Sequence, residues 1–212
     1  MLKIIPLLFL SLGIFLLLQV ILPLAAYKIW ETQNLKAESL LMNSQGGKQI
    51  LGISIKNEDS FPLLISEFRR DRPAPYSQFL MSIPSLKIDQ AKVLVDTNNL
   101  NGGGLSHLPG SALPGEKGNI FISGHSALPQ VFKGEKNYGS IFANLNQLKD
   151  GDGINISAGA DFKYQVIGLR VVDPKDLSVI VPPDSQGRYL TLMTCVPPGL
   201  NVKRLIVLAK LI

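Results

Sequence analysis

Residues 189–211 read YLTLMTCVPPGLNVKRLIVLAKL, and this stretch decides the fold. Residues 189–194 and 203–211 are short runs of apolar and β-branched residues, while Pro197, Pro198 and Gly199 turn the chain between them. Two strands joined by a turn are expected here, with Cys195 at the end of the first and Arg204 at the start of the second. The same punctuation recurs upstream. Strand-like runs at 79–83, 87–95, 119–123, 154–157 and 162–173 are separated by Gly, Pro, Asn and Asp. Short strands with turn chemistry between them predict an all-β barrel or sandwich. One helical interruption is expected at 140–148, where Ile141, Leu145 and Leu148 fall at helical spacing. Residues 101–118 hold six glycines and two prolines, so this segment is expected to be an irregular loop over the barrel mouth.

Towards the N-terminus the pattern changes. Residues 4–27, IIPLLFLSLGIFLLLQVILPLAAY, contain no charge over 24 positions. As a helix such a run spans ~36 Å, enough for a hydrocarbon core of ~30 Å with some tilt. It exceeds the apolar core of a signal peptide, and 23–26 offer no convincing small-residue cleavage site, so a retained anchor is expected. Residues 28–45 carry helix formers with mixed charge and are stopped by Gly46 and Gly47. Arg69, Arg70, Asp71 and Arg72, then Pro73 and Pro75, mark an exposed linker. The expected organisation is therefore an anchor with a short tail at 1–27, a juxtamembrane helix and linker at 28–75, and a β-barrel at 76–212.

Composition narrows the chemistry. The 212 residues include one cysteine and two histidines, with 21 Lys and Arg against 16 Asp and Glu. One cysteine closes no intramolecular disulfide, and it excludes zinc fingers and iron–sulfur clusters, which need several thiolates. The net charge of +5 is spread along the chain, without a basic run or interleaved aromatics, so nucleic acid is not an expected partner. Glu116, Glu135 and Asp152 are scattered acidic residues that read as surface charges rather than a calcium site. No cofactor is expected.

The chemistry then rests on three residues. A guanidinium beside the Cys195 thiol favours thiolate and can donate to an oxyanion. His125 follows the apolar run 119–123 at a strand end, with Gly124 letting the backbone turn. Cys195, His125 and Arg204 can thus converge on one barrel rim, as nucleophilic cysteine catalysis requires. His107 is the other histidine, and its place in the Gly-rich loop suits a solvated or loop-packing ring. The alternative for Cys195 is simple burial, since free cysteine packs well.

These residues carry a family resemblance. GNIFISGH at 118–125, preceded by LPG at 113–115, resembles the histidine motif of the sortases, and TLMTC at 191–195 followed by Arg204 and Leu205 resembles their cysteine and arginine signature. The likeness covers about residues 79–212, and the motifs stand in the family's order. It implies a sortase-like eight-stranded β-barrel with short helices behind an N-terminal transmembrane helix. It also implies a cysteine transpeptidase that cuts a Leu-Pro-x-Thr-Gly-like sorting signal and transfers the acyl group to an amine of a cell-wall precursor or another protein. By that resemblance Cys195 is the nucleophile, His125 the acid and base, Arg204 the oxyanion or substrate clamp, and Thr194 a secondary residue near the oxyanion. Ser126 departs from the family pattern, since many sortases have Arg after the histidine. The 198–201 turn resembles the pilus-assembling group, and the subclass stays unassigned.

Lys3 on one side of the anchor is nearly balanced by Lys28 and Lys36 on the other, so the positive-inside rule does not orient it. The resemblance does: sorting substrates emerge outside, which implies a single-pass cell-membrane protein with its N-terminus inside and its catalytic domain extracytoplasmic. Two rival readings remain: a membrane-anchored cysteine protease that only hydrolyses, and a non-catalytic anchored barrel that binds wall peptides.

Overall fold

A computed structural model describes residues 4–34, 53–58, 61–66, 73–128 and 137–212. The chain forms two compact units, Met1–Met42 and Asn43–Ile212. The described residues of the first form one α-helix, α1 (Ile4–Asn34), whose 31 residues make it ~46 Å long at the usual rise. Within it Pro6–Thr32 is long and apolar enough to cross a membrane, with a mean hydropathy of 2.6. The helix expected at 28–45 is continuous with α1 as far as Asn34, and its remainder lies outside the described residues, as do the Arg-rich stretch 69–72 and most of the segment after the histidine motif.

In the second unit a two-stranded antiparallel hairpin comes first, β1 (Ile53–Glu58) and β2 (Phe61–Ser66). Eight strands then close into a barrel: β3 (Gln78–Ile83), β4 (Ile88–Leu94), β5 (Leu105–His107), β6 (Gly118–Ser123), β7 (Gly153–Ser157), β8 (Asp161–Val172), β9 (Arg188–Val196) and β10 (Lys203–Leu211). Around the barrel the order is β10, β8, β7, β3, β4, β5, β6, β9, with β9 returning to β10. Two neighbouring pairs, β4 with β5 and β6 with β9, are parallel, and the other barrel pairs are antiparallel. The fold is the expected all-β barrel.

Alternation builds most of the core. In β3 and β7 every second residue is buried, so Phe79, Met81, Ile83, Ile154 and Ile156 point inward. β9 is buried along eight of its nine residues because both of its faces are covered. On the face that carries Met193, a cluster forms with Leu108, Phe121, Val179 and Ile206. The short 3-10 turn Leu177–Ile180 is pinned over this cluster by Asn119, whose Nδ2 donates to the carbonyls of Val179 and Ile180 while its Oδ1 accepts from the Thr191 hydroxyl. Cys195 lies two residues beyond Met193 and so shares that face.

Two expectations are corrected. The glycine-rich segment 101–118 is not wholly irregular, because Leu105–His107 form β5 and supply the barrel's eighth strand. Its three residues are all buried, so packing between β4 and β6 overrides a local composition that reads as loop. The expected helix at 140–148 is instead a series of turns ending in a 3-10 helix, Leu145–Gln147. Phe142 and Leu145 are fully buried there, and Phe142 N donates to the His125 carbonyl at 3.0 Å. The apolar spacing was a packing signal without an α-helix behind it.

Candidate active site

Cys195 is the penultimate residue of β9 and Arg204 the second of β10, and they stand directly opposite each other in the antiparallel ladder. Facing residues in such a pair have Cβ atoms about 4.5–5.5 Å apart, which sets the guanidinium beside the thiol. On its other side Arg204 pairs with Val172, next to Asp173. Its Nη1 donates to the carbonyls of Asn201 at 3.3 Å and Lys203 at 3.1 Å, so the head folds against its own turn. Cys195 is 6% exposed and Arg204 3%. Burial pushes the Cys195 thiol up to about 11, with the Arg204 charge pulling the other way. The same burial lowers the Arg204 pKa, opposed by Cys195 and Asp173.

His125 sits two residues past the end of β6, on a segment laced to β9. Gly124 N donates to Met193 O at 3.1 Å, the Thr194 hydroxyl donates to Gly124 O at 2.8 Å, and the Ser126 hydroxyl donates to Cys195 O at 2.5 Å. Gly199 N closes the set by donating to Ser126 O at 2.8 Å. These bonds hold the histidine segment against the end of β9 and the turn after it. Gly124 is needed for space rather than for an unusual backbone angle. A Cβ there would stand 2.5 Å from Phe142 Cδ2 and 2.6 Å from Leu105 Cδ2. The result is a cleft of about 320 Å³ lined by His125, Ser126, Ala127, Cys195, Gly199, Leu200 and Asn201. Burial lowers the His125 pKa below the ordinary imidazole range.

The structure therefore brings Cys195 and His125 to one cleft, with Arg204 reaching Cys195 from the neighbouring strand. Thr194 lies beside them, but its hydroxyl is turned to the Gly124 carbonyl. His107 is elsewhere: it is fully buried, its Nδ1 accepts the Asp96 backbone N–H at 3.2 Å, and its Nε2 lies 3.0 Å from the Ala112 carbonyl and 2.9 Å from the Ser111 hydroxyl. That is a packing histidine, and the solvated option is excluded. Sequence reasoning missed two residues. Ser126 stood out only as a departure, yet its hydroxyl ties the histidine segment to the Cys195 carbonyl. Asn101, hidden in the glycine-rich loop, places its Oδ1 3.2 Å from His125 Nε2; no local signal marked it.

A closed eight-stranded barrel with a thiol, an imidazole and a guanidinium gathered at one rim has the parts of a cysteine acyl-transfer enzyme. The chain belongs to the sortase family, known as cysteine transpeptidases: the family model described as the sortase domain matches residues 81–212. Among curated proteins it is similar to sortase SrtE1 of Streptomyces coelicolor, 32% identical over 111 residues. That match covers 48% of this chain and 29% of the relative, so it spans less than a third of that protein's length. Among solved structures it is similar to a lid mutant of sortase A from Corynebacterium diphtheriae, with 32% identity, a TM-score of 0.55, and 66% of this chain and 73% of that one covered. It is likewise similar to the sortase D5 transpeptidase of Clostridium perfringens, with 27% identity, a TM-score of 0.53, and 64% and 79% covered. These relatives bear different class letters, so the likeness is to the family rather than to one class.

Proposed function

We propose that the protein is a membrane-anchored transpeptidase that cleaves a Leu-Pro-x-Thr-Gly-like sorting signal through a thioester on Cys195. It then passes the acyl group to an amine of a cell-wall precursor or of a pilin-like protein. The observation that carries this reading is the single cleft shared by Cys195 and His125, with Arg204 directly opposite Cys195.

The steps follow from the side chains. The Cys195 thiolate attacks the threonine carbonyl carbon, and the negative charge that develops on its oxygen is stabilised by Arg204. Protonated His125 gives its proton to the departing glycine nitrogen as the C–N bond breaks, leaving a thioester and a neutral imidazole. An incoming amine attacks the thioester, His125 removes its proton, and the thiolate leaves. Thr194 is assigned a supporting role at the oxyanion through its hold on the Gly124 carbonyl.

The electrostatics disfavour the charged forms of both groups. With the thiol near 11, the thiolate fraction at neutral pH is on the order of 10⁻⁴ before substrate arrives. The greater nucleophilicity of a high-pKa thiolate recovers roughly tenfold of that. A lowered imidazole pKa keeps His125 mostly neutral, so the reactive thiolate–imidazolium pair is a minority form. Burial that disfavours the charged pair also limits water near the thioester, which favours transfer over hydrolysis.

No metal is required in this reading. Among the described residues no group of three or more metal-ligating side chains occurs, and Glu116 and Asp152 are engaged with the backbone N–H groups of Leu113 and Lys149. We assign α1 as the anchor, with the N-terminus inside and the barrel extracytoplasmic. The deciding experiment incubates the full chain with a Leu-Pro-x-Thr-Gly peptide and a graded amine. An acyl adduct at Cys195 and an amine-linked product that rises with amine concentration are expected. Free acid as the sole product at every amine concentration would establish a protease instead, and no adduct would leave a binding barrel.

A further inference from the structure

The loop between β4 and β5 contains TNNLN at 97–101, and its three asparagines make three different connections. Asn98 grips the last residue of the hairpin: Ser66 N donates to Asn98 Oδ1 at 3.1 Å, and Asn98 Nδ2 donates to Ser66 O at 3.1 Å. Asn99 shapes the turn. Its N–H donates to Thr97 Oγ1 at 3.0 Å, and its Oδ1 accepts the Asn101 N–H at 2.8 Å. Asn101 then presents Oδ1 3.2 Å from His125 Nε2. Below the turn, Thr97 is tied to β5, its N–H donating to His107 O at 3.0 Å and its carbonyl accepting from the Ser106 hydroxyl at 2.5 Å. Above it come three glycines, 102–104, which offer no side chains to brace Asn101. A continuous set of short-range contacts thus runs from the hairpin to the imidazole.

We propose that the β1–β2 hairpin is a positioning element for His125, acting through the Asn98 clasp and the 97–101 turn on Asn101, whose amide oxygen orients the ring. The proposal rests on the reading of His125 as the acid and base of transfer. The amide oxygen accepts the Nε2 proton in both charge states, and the bond is stronger when the ring is charged. Asn101 therefore opposes the burial of His125 and enlarges the reactive imidazolium population. Among the described residues lining the cleft, the other titratable group is Cys195 on β9, with Arg204 opposite it on β10. The described residues lining the cleft include no carboxylate.

The test titrates the imidazoles of the full chain in detergent by NMR. The chain holds only two histidines, and His125→Ala assigns the signals. Asn101→Ala is expected to lower the His125 pKa, and Asn101→Asp, which keeps the acceptor and adds charge, to raise it. Asn98→Ala should lower it by less, and the Asn98→Ala/Asn101→Ala double variant should match Asn101→Ala alone, because both act through one contact. In transpeptidation the acid limb should follow these shifts, with kcat falling about tenfold for each pH unit of downward shift and KM unchanged. Where Asn98→Ala costs too much stability, Asn98→Asp keeps the acceptor for Ser66 N and loses the donor, and should fall between wild type and Asn98→Ala. A His125 pKa indifferent to both Asn101 variants overturns the contact. An Asn98 effect limited to melting temperature, or additive with Asn101→Ala, overturns the hairpin's part. A wild-type chain that forms no thioester overturns the transpeptidase reading, while the titration still decides the positioning claim.

Discussion

The two histidines are both tied to β6, one across the ladder and one beyond its end, and could hardly differ more in their surroundings. His107 pairs with Ile122 of β6 across the sheet, and His125 follows β6 by two residues. The His107 ring is fully buried, with Nδ1 accepting a backbone N–H and the proton on Nε2 directed to the Ala112 carbonyl and the Ser111 oxygen. Such a ring has no lone pair left to offer a substrate. His125 faces a cleft of about 320 Å³ shared with the thiol, its position set by bonds from the Gly124 N–H and the Ser126 hydroxyl to the end of β9. Burial with saturated nitrogens makes a histidine structural, whereas burial beside an open cleft with a nucleophile prepares it for proton transfer.

Substitutions that separate the two sites test this contrast. Cys195→Ala should abolish the thioester altogether, read as the loss of any mass adduct after exposure to sorting peptide. His125→Ala should lower kcat by about 10²–10⁴-fold with little change in melting temperature. His107→Ala should do the reverse, lowering stability by about 1–3 kcal/mol through unpaired buried groups while the folded fraction keeps its turnover. Equal damage to turnover from both would break the comparison. Arg204→Lys should cost about 10–100-fold in kcat/KM, because a point charge does not reproduce the guanidinium fork beside Cys195.

The pH profile sharpens the same point. The acid limb of kcat/KM should follow His125 and lie below an ordinary imidazole, because burial disfavours its charged form. The alkaline limb should follow Cys195 near 11, because burial disfavours the thiolate. Activity falls below the first as the thiolate is lost from an already protonated pair, and above the second as the acid is lost. An acid limb above the ordinary imidazole value would contradict the lowered His125. The smallest effect expected is none: chelation with EDTA should leave transpeptidation unchanged, since no calcium is invoked.

Much of this arrangement is local and therefore readable in the chain. Strand alternation and the Pro-Pro-Gly turn placed Cys195 and Arg204 on adjoining strands, and β9 and β10 pair them as the spacing suggested. The apolar length of 4–27 marked a helix long and apolar enough to cross a membrane for the same reason, because hydropathy is a property of each residue. The rest depended on contacts between distant segments. β5 is a strand because β4 and β6 flank it, in a stretch whose glycines and prolines read as loop. Gly124 was expected to ease a turn, and the packing of Phe142 and Leu105 against it supplies the actual requirement. Ser126, Asn101 and Asn98 carry no pattern of their own, and they gain their roles only when the β4–β5 loop, the hairpin and the end of β9 are brought together. The sequence by itself determined a β-barrel behind a long apolar helix, with a candidate thiol, imidazole and guanidinium. Which histidine shares the cleft with the thiol, and what holds it there, was decided by hydrogen bonds between distant residues, such as Thr194 and Gly124, 70 positions apart.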